Sequence, residues 1–202
     1  MEAIIQGITP SALLAGHYGL ASPKDRRTQL TGYHFTKRAG VVYMVATDGH
    51  ILIIQRLPDA SMDADTLTII PASKPAAGIA KASTASIYQL DDSTALIQAG
   101  SVALSAKIYT ASAYPNVEQV WGQTMRNYQQ ATEAAADFDP ALLNTLQRSA
   151  KAACTGRGQP AIKIHQRGHC AALVTSSIDD WAAVIMPMRS SELPPPSWVS
   201  EI

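Results

Sequence analysis

The feature that most constrains the fold of this chain is a threefold internal repeat in which each copy opens on a proline. The segments ITPSALLAGHYGLAS, IIPASKPAAGIAKAS and FDPALLNTLQRSAKAA place Pro10, Pro71 and Pro140 at intervals of 61 and 69 residues. Proline suits the first turn of a helix, because its fixed φ is already helical and the amide that it lacks would have no partner there. The repeat therefore predicts three helices. The third has the clearest amphipathic pattern, with an apolar face formed by Phe138, Leu142, Leu146 and Ala150.

Each proline segment is followed by a stretch rich in residues that favour β-strands. Such runs, interrupted by Gly and Asp turns, predict antiparallel strands. Such a unit of one helix and three or four strands cannot bury its apolar faces alone, so neighbouring units must stack. The predicted fold class is α+β, with helices on one face and sheets on the other. The predicted turns are Arg38–Gly40, Asp48–Gly49, Asp91–Asp92, Ala99–Gly100, Arg167–Gly168 and Ile178–Asp180.

Two polar stretches, residues 57–66 and 122–137, interrupt the repeat. The second is the longer and more polar, which is typical of a domain boundary. We therefore predict a first domain over residues 1–122, composed of half-units 1–60 and 61–122. Half of a second domain follows over residues 130–189, and a proline-rich tail covers residues 190–202.

The composition indicates a folded protein of the reducing cytoplasm. Of the 202 residues, 47% are hydrophobic, and 16 basic residues balance 16 acidic ones, which excludes a wholly basic nucleic-acid-coating surface but not a local basic face. Two cysteines, Cys154 and Cys170, give no disulfide framework. The amino-terminal sequence lacks the basic start of a signal peptide, and no apolar run reaches membrane-spanning length. We expect a cytoplasmic location and no membrane partner.

The sequence carries no enzyme signature that stands above its structural alternative. Asp48 and His50, in ATDGH, could act as an acid and a base, but Asp-Gly is a strong hairpin signal and no nucleophile accompanies it. We predict no catalytic residue and no cofactor.

One group of residues has the composition of a metal site, namely Cys154, His165, His169 and Cys170. However, His165 and His169 flank a predicted turn, and adjacent residues on a strand point to opposite faces. A metal-dependent enzyme at Cys154, His165 and Cys170 is the least favoured interpretation, and no metal is predicted.

Four segments resemble the bacterial β sliding clamp, the ring that gives the replicative DNA polymerase its processivity. VVYMVATDGHILII resembles that family's ATDGHRL segment, and DRRTQLTGYHF resembles the RyyLnGmlf stretch before it. AYPNVEQV resembles the FPDY segment, and AVIMPMR resembles the carboxy-terminal VMPMR. The four occur in the family's order and spacing, over roughly residues 3–189. The resemblance implies the DNA-clamp fold and a role in DNA replication without enzymatic activity.

The resemblance also implies a truncated organisation. Family members have three similar domains, each of two helix-plus-strands halves. This chain corresponds to the middle domain and the second half of the last. The domains through which two family chains close head to tail have no counterpart here. The family ring contains twelve half-units, and four chains of three half-units each would supply the same number.

A peptide-binding pocket is the main site that the resemblance implies. In the family, polymerase and clamp-loader subunits insert a short peptide between the middle and last domains. Met186 and Met188 lie on one side of an extended segment, and methionine adapts to varied apolar partners. Ile51 replaces the family's usual arginine, which would make the rim less polar. The implied pocket residues are Leu30, Thr47, Gly49, His50, Leu52, Pro115, Val120, Val184, Met186, Pro187, Met188 and Arg189.

A weaker implication concerns DNA, which the family's helices face without reading its sequence. Lys74 and Lys81, seven residues apart, would share one face of the second helix, while Arg148 and Lys151 lie on the third. It is an equally good interpretation that these cations simply lie on ordinary solvent-exposed helix faces and bind no DNA. Two roles stay open: a homo-oligomeric clamp that tethers polymerase or clamp-loader partners to DNA, and a non-encircling module that competes for clamp ligands. The implied DNA-facing residues are Lys74, Lys81, Arg148, Lys151, Lys24, Arg26 and Arg27.

Overall fold

The structure is a computed structural model that describes residues 3–75, 77–110, 114–129, 136–156, 158–166 and 168–188. The helices are α1 (Pro10–His17), α2 (Val117–Gln129) and α3 (Pro140–Ala153), with short 3₁₀ helices at Thr28–Thr31 and Ala77–Lys81. The strands are β1 (Ala3–Ile8), β2 (Tyr33–Arg38), β3 (Val41–Thr47), β4 (Ile51–Leu57), β5 (Ser61–Met62), β6 (Thr66–Pro71), β7 (Ala85–Gln89), β8 (Thr94–Ala99), β9 (Val102–Tyr109), β10 (Ile162–His165), β11 (Ala172–Ser176) and β12 (Trp181–Ile185).

The strands form one antiparallel sheet in the order β10-β11-β12-β4-β3-β2-β6-β9-β8-β7-β1-β5. Three meanders, β2–β4, β7–β9 and β10–β12, match the three predicted strand stretches. The tight turn between β2 and β3 places Ala39 and Gly40 at positive φ, which twists the hairpin in the sense that two-residue turns favour. The meander of the third half-unit joins that of the first, because β12 pairs with β4 along its whole length.

Two of the three predicted helices begin at their prolines. Pro10 and Pro140 open α1 and α3, and the Asp139 side chain accepts a hydrogen bond of 2.8 Å from the amide of Ala141. The prediction for Pro71 is wrong, because that residue ends β6 and a five-residue 3₁₀ helix, Ala77–Lys81, takes the helix position. Pro75 and Gly78 in this segment disfavour an α-helix.

Helix α2 is not among the predicted helices, and it occupies part of the stretch that the sequence marks as polar. Its apolar residues Val117, Val120 and Trp121 recur at helical spacing and pack against β3, β4 and β12. In β4, Leu52 faces this helix while Ile51 faces the opposite side, where α1 and α3 pack. The sheet therefore carries α1 and α3 on one face and α2 on the other.

Candidate functional site

A pocket of about 250 Å³ opens where α2, the β3–β4 turn and the end of β12 meet. Its walls come from four segments distant in sequence, and most of its lining is apolar. Nine of the twelve residues that the family resemblance implied contribute to it. The lining residues are Arg27, Gln29, Leu30, Thr47, Gly49, His50, Ile51, Leu52, Pro115, Val117, Val120, Val184 and Met186.

The floor of the pocket is set by the register between β4 and β12. Val184 lies directly opposite Leu52 in this pairing, and the two pack with Val45 beneath α2. Beyond the end of β12 the amide of Met186 donates a hydrogen bond of 2.9 Å to the carbonyl of His50. This bond keeps Met186, which is 38% exposed, beside the turn.

The β3–β4 turn is held by its own side chains. Asp48 Oδ1 accepts hydrogen bonds from the amides of His50 (2.8 Å) and Ile51 (2.9 Å), and Thr47 Oγ1 accepts one from the amide of Gly49 (3.0 Å). Asp48 therefore caps a turn, the structural alternative weighed against acid–base chemistry. Gly49 has a φ of +94°, and a side chain there would also meet the Arg27 guanidinium at 2.7 Å.

Arg27 supplies a fixed cationic group at the rim of the pocket. Its guanidinium pairs with Asp25 at 2.8 Å and donates to the carbonyl of Asp48 at 3.0 Å. The hydrogen bonds from Arg27 lower the pKa of Asp25 to about 2. Although the family resemblance implied that Arg27 faces DNA, the structure places it at the pocket.

The α2 wall is attached to the sheet by an aromatic stack. The His34 ring lies 4.3 Å from the Tyr114 ring at an interplanar angle of 6°, and His34 Nδ1 lies 2.9 Å from Thr68 Oγ1. Burial lowers the pKa of His34 to about 4, so its ring is neutral at pH 7. Burial also raises the pKa of Tyr114. Tyr114 leads directly into Pro115 and Val117, which line the pocket.

A larger groove of about 800 Å³ continues from the pocket across the same face of the sheet. Pro115 and Val117 belong to both, and Trp121 lines the groove beyond them. An ion pair between Arg38 and Glu118 spans the groove from β2 to α2. The pocket and groove together can accept an extended chain with one apolar anchor.

Three of the implied pocket residues are not placed in the lining. Met188 and Pro187 lie beyond it, because the chain leaves the sheet after β12 and the amide of Met188 bonds instead to the carbonyl of Asp137, at 2.8 Å, just before α3. Arg189 lies outside the described residues. Ile51 belongs to the lining, but its side chain is 2% exposed and packs beneath α3, so it offers no polar group to the rim.

Two pocket residues that sequence reasoning missed are Val117 and Gln29. The spacing of Val117, Val120 and Trp121 directly after Pro115 was the signal for a helix at this point. The position of Gln29 depends on the 3₁₀ helix Thr28–Thr31, which has no comparable sequence signal.

Two of the seven implied DNA-facing cations, Lys74 and Arg148, are brought together at one aromatic ring, and the seven do not form a continuous row. Lys74 Nζ and the Arg148 guanidinium carbon each lie 4.9 Å from the centre of the Tyr18 ring. Lys151 is exposed one turn along α3, whereas Lys81 ends the 3₁₀ helix and does not share a helical face with Lys74. Lys24 and Arg26 lie exposed in the loop after α1.

Within the described ranges, no group of three or more His, Cys, Asp or Glu side chains could hold a metal ion. His165 Nε2 lies 2.8 Å from Thr175 Oγ1, and the His165 ring packs edge-on against Tyr128 of α2. No helix in the described part of the chain is long and apolar enough to cross a membrane.

Neither a protein-family model nor a curated protein sequence matches the chain. Solved structures do match. A DNA polymerase sliding clamp from Pseudomonas aeruginosa aligns with a TM-score of 0.57 and 16% identity, over 94% of this chain and 67% of that one. The β subunit from the DNA polymerase of Streptococcus pyogenes aligns with a TM-score of 0.62 and 13% identity, over 94% and 66%. The DNA polymerase III β subunit from Thermotoga maritima aligns with a TM-score of 0.58 and 12% identity, over 97% of this chain and 67% of that one.

The chain thus spans about two thirds of the length of the structures that it matches. At these identities the likeness shows a common fold, and the α+β clamp fold expected from the four motifs is confirmed.

Proposed function

We propose that this chain, whose fold is that of the bacterial DNA polymerase sliding clamp, is a clamp-type replication accessory protein that binds short peptides of polymerase or clamp-loader partners. The observation that carries the proposal is the convergence of residues 30, 47–52, 115–120 and 184–186 on one apolar pocket. The role is one of binding and tethering, without a reaction of its own.

The pocket determines what kind of peptide would bind. Its apolar floor of Leu52, Val120 and Val184 suits one large aliphatic or aromatic side chain. Burying such a side chain contributes about 1.5–3 kcal/mol, and flanking residues in the groove add further contacts. Because association and ordering costs offset much of this gain, we expect a micromolar dissociation constant, or roughly −8 kcal/mol.

The rim adds polar recognition. Arg27 and the His50 side chain can donate hydrogen bonds to backbone carbonyls or to an acidic side chain of the peptide. Since Arg27 is already paired with Asp25, its guanidinium is oriented before the peptide arrives. This arrangement favours a peptide with an apolar residue next to a hydrogen-bond acceptor.

The test is titration of a labelled clamp-binding peptide into wild type, Met186→Ala and Met188→Ala. Both methionines are exposed, by 38% and 47%, but only Met186 lines the pocket, so Met188→Ala is a matched control. We expect Met186→Ala to weaken binding several-fold and Met188→Ala to leave it unchanged. Absence of binding to wild type, or equal loss in both variants, would contradict the proposal. Repeating the titration without residues 190–202 shows whether the tail competes for the pocket.

Encirclement of DNA by a homo-oligomer is the finer part of the proposal. The support is the Lys74, Arg148 and Tyr18 cluster with the neighbouring Lys151. So few cations neutralise DNA only when several chains surround it, and binding would then be sequence-independent and steeply salt-dependent. Replacing Lys74, Arg148 and Lys151 by glutamate should abolish retention on closed circular DNA. Retention equal to wild type would favour the non-encircling module that competes for clamp ligands.

A further inference from the structure

The first two half-units complete each other by exchanging strands. On one side β1 pairs with β5, which closes the first half-unit two residues beyond its predicted end at residue 60, and on the other with β7 of the second half-unit. Likewise β6 pairs with β9 of its own half-unit and with β2 of the first. In each half-unit, the strand before the helix position pairs with the first strand of the other half-unit's meander: β1 with β7, and β6 with β2. The exchange is therefore reciprocal.

The third half-unit has the same helix and meander, but within the described residues no strand from another half-unit pairs with its first strand, β10. The amide of Met188, after the last strand, bonds to the carbonyl of Asp137, before α3, which corresponds to the contacts β1–β5 and β6–β9. However, β10 is the end strand of the sheet and, within the described residues, pairs with β11 alone. The counterparts of β10 in the other meanders, β2 and β7, are covered on both sides.

Burial follows this difference in pairing. The inward residues Phe35 of β2 and Ile87 of β7 are each 0% exposed. On β10 the corresponding residues Ile162 and Ile164 are only half-buried, although they pack on the core beneath α3. An apolar strand edge of this kind is a template for pairing with another chain.

We propose that a second copy of this chain completes the third half-unit, through a twofold interface in which the edge of β10 pairs with the segment before α3 of the partner. A twofold axis brings the same surface of two copies together, so each copy fills the edge that the other leaves open. The reciprocal exchange within the first domain is the internal precedent. This inference rests on the proposed clamp-type function, because it supplies the self-partner that a homo-oligomer requires.

The pairing β7–β1 gives the expected register. There Ala85 lies opposite Ile8, two residues before Pro10. When the hairpins β7–β8 and β10–β11 are aligned on their turns, Ile162 takes the place of Ala85, and its partner is Phe138, two residues before Pro140. Just beyond the Ala85–Ile8 pair the register of β1 shifts by one residue, whereas in the equivalent pairing of β2 with β6 the pair His34–Thr68 follows Tyr33–Ile69 without a shift. On this unshifted pattern the exposed Lys163 of one copy lies opposite the exposed Asp137 of the other, so the charges at the edge are complementary.

Helix α3 also leaves one flank available for this interface. Ser149 faces α1, since its hydroxyl donates to the carbonyl of Ala15 at 2.9 Å. Leu143 lies about 120° around the helix from Ser149, at about 100° per residue, and is only half-buried. In the first domain α1, which contacts α3, also contacts the 3₁₀ helix Ala77–Lys81. In the proposed twofold interface, the α3 helix of the second copy lies beside α3 as the 3₁₀ helix lies beside α1.

The test combines solution mass with directed cross-linking of the full chain. Sedimentation should give about 43 kDa or an even multiple of it, against 21.5 kDa for one chain. In a background with Cys154→Ser and Cys170→Ser, a Lys163→Cys chain mixed with an Asp137→Cys chain should form a disulfide under mild oxidation. A Gln98→Cys chain, exposed on the fully paired strand β8, should not cross-link to Asp137→Cys.

A mass of 21.5 kDa at every concentration, or a mixed disulfide no faster than with the Gln98→Cys control, would overturn the interface. The peptide titration separates this outcome from failure of the proposed function, because the pocket lies on β4 and β12, two strands away from β10. A chain that binds peptide but stays monomeric contradicts only the interface, and a dimer that ignores peptide contradicts only the pocket.

Discussion

Residues 3–110 and residues 136–188 are built on the same plan but differ in how completely their cores close. In the first region two half-units exchange strands, and the inward residues of β2 and β7 are fully buried. In the second, a single half-unit borrows Ile51, Ile53 and Ala15 from the first to build its core, and β10 keeps an open edge. In this fold, therefore, the apolar side chains of a half-unit are buried largely by the neighbouring half-unit, and only partly by residues of the same half-unit.

The largest expected effect comes from equivalent core truncations in the two regions. Ile87→Ala, in the closed core, should lower the free energy of unfolding by about 2–5 kcal/mol, because it leaves a cavity. Ile164→Ala, at the corresponding position of β10, should cost about 1 kcal/mol, since its side chain is already half-exposed. Urea unfolding at low protein concentration measures both. Equal costs would contradict the difference between the regions.

The next effect tests how the two regions are joined. Ser149 Oγ donates to the carbonyl of Ala15 and accepts a hydrogen bond of 3.0 Å from Trp181 Nε1, all within the buried core. Ser149→Ala leaves both partners unsatisfied and should cost about 1–3 kcal/mol. Thr145→Ala is the matched control, because its hydroxyl bonds only to the Ala141 carbonyl of the same helix, at the surface. A loss no greater than that of Thr145→Ala would mean that this network does not join the regions.

A third effect, of similar size but confined to acid pH, distinguishes the two regions. Burial lowers the pKa of His34 to about 4, whereas a histidine in the unfolded chain has its ordinary pKa of 6.5. Unfolding therefore takes up a proton between these values, so stability is complete above about pH 6.5 and decreases as the pH falls toward about 4. The His34 contribution should be about 1–3 kcal/mol. His17, whose pKa is also lowered by burial and by Lys74, acts in the same direction in every variant.

Two substitutions isolate this contribution. His34→Asn should flatten the decrease between pH 6.5 and pH 4, whereas His165→Asn, on the less buried strand β10, should change it little. Thermal unfolding across this range measures the slopes. Parallel slopes for wild type and His34→Asn would show that the buried ring does not control acid stability. Peptide binding should weaken over the same range, because His34 stacks on the residue that leads into the α2 wall.

The strands and their turns could be predicted from the sequence because hairpins depend on local chemistry. Gly40 and Gly49 supply the positive φ that tight turns need, and runs of β-branched residues mark β3 and β4. No strand is predicted from the sequence at β1 or β6, which lead directly into the proline segments. Their partners are distant in sequence, and no local pattern identifies a strand that pairs with another half-unit.

The site was predictable only through the family resemblance. Its four segments are separated by up to 64 residues, from Val120 to Val184, and no periodicity brings them together. The places where the prediction failed are those where the chain leaves regular structure. Met188 departs from the line of β12 toward α3, and Arg27 is drawn to the turn by the carbonyl of Asp48.

The most direct test of the peptide pocket is methyl NMR of the chain labelled at its six methionines. Met44 is buried in the first core, Met188 is exposed outside the pocket, and Met186 lines it. On titration with a clamp-binding peptide, we expect a large, saturable shift of the Met186 methyl signal and little change at Met44 and Met188. Saturable binding that leaves Met186 unmoved while shifting Met188 would contradict the pocket as the binding site.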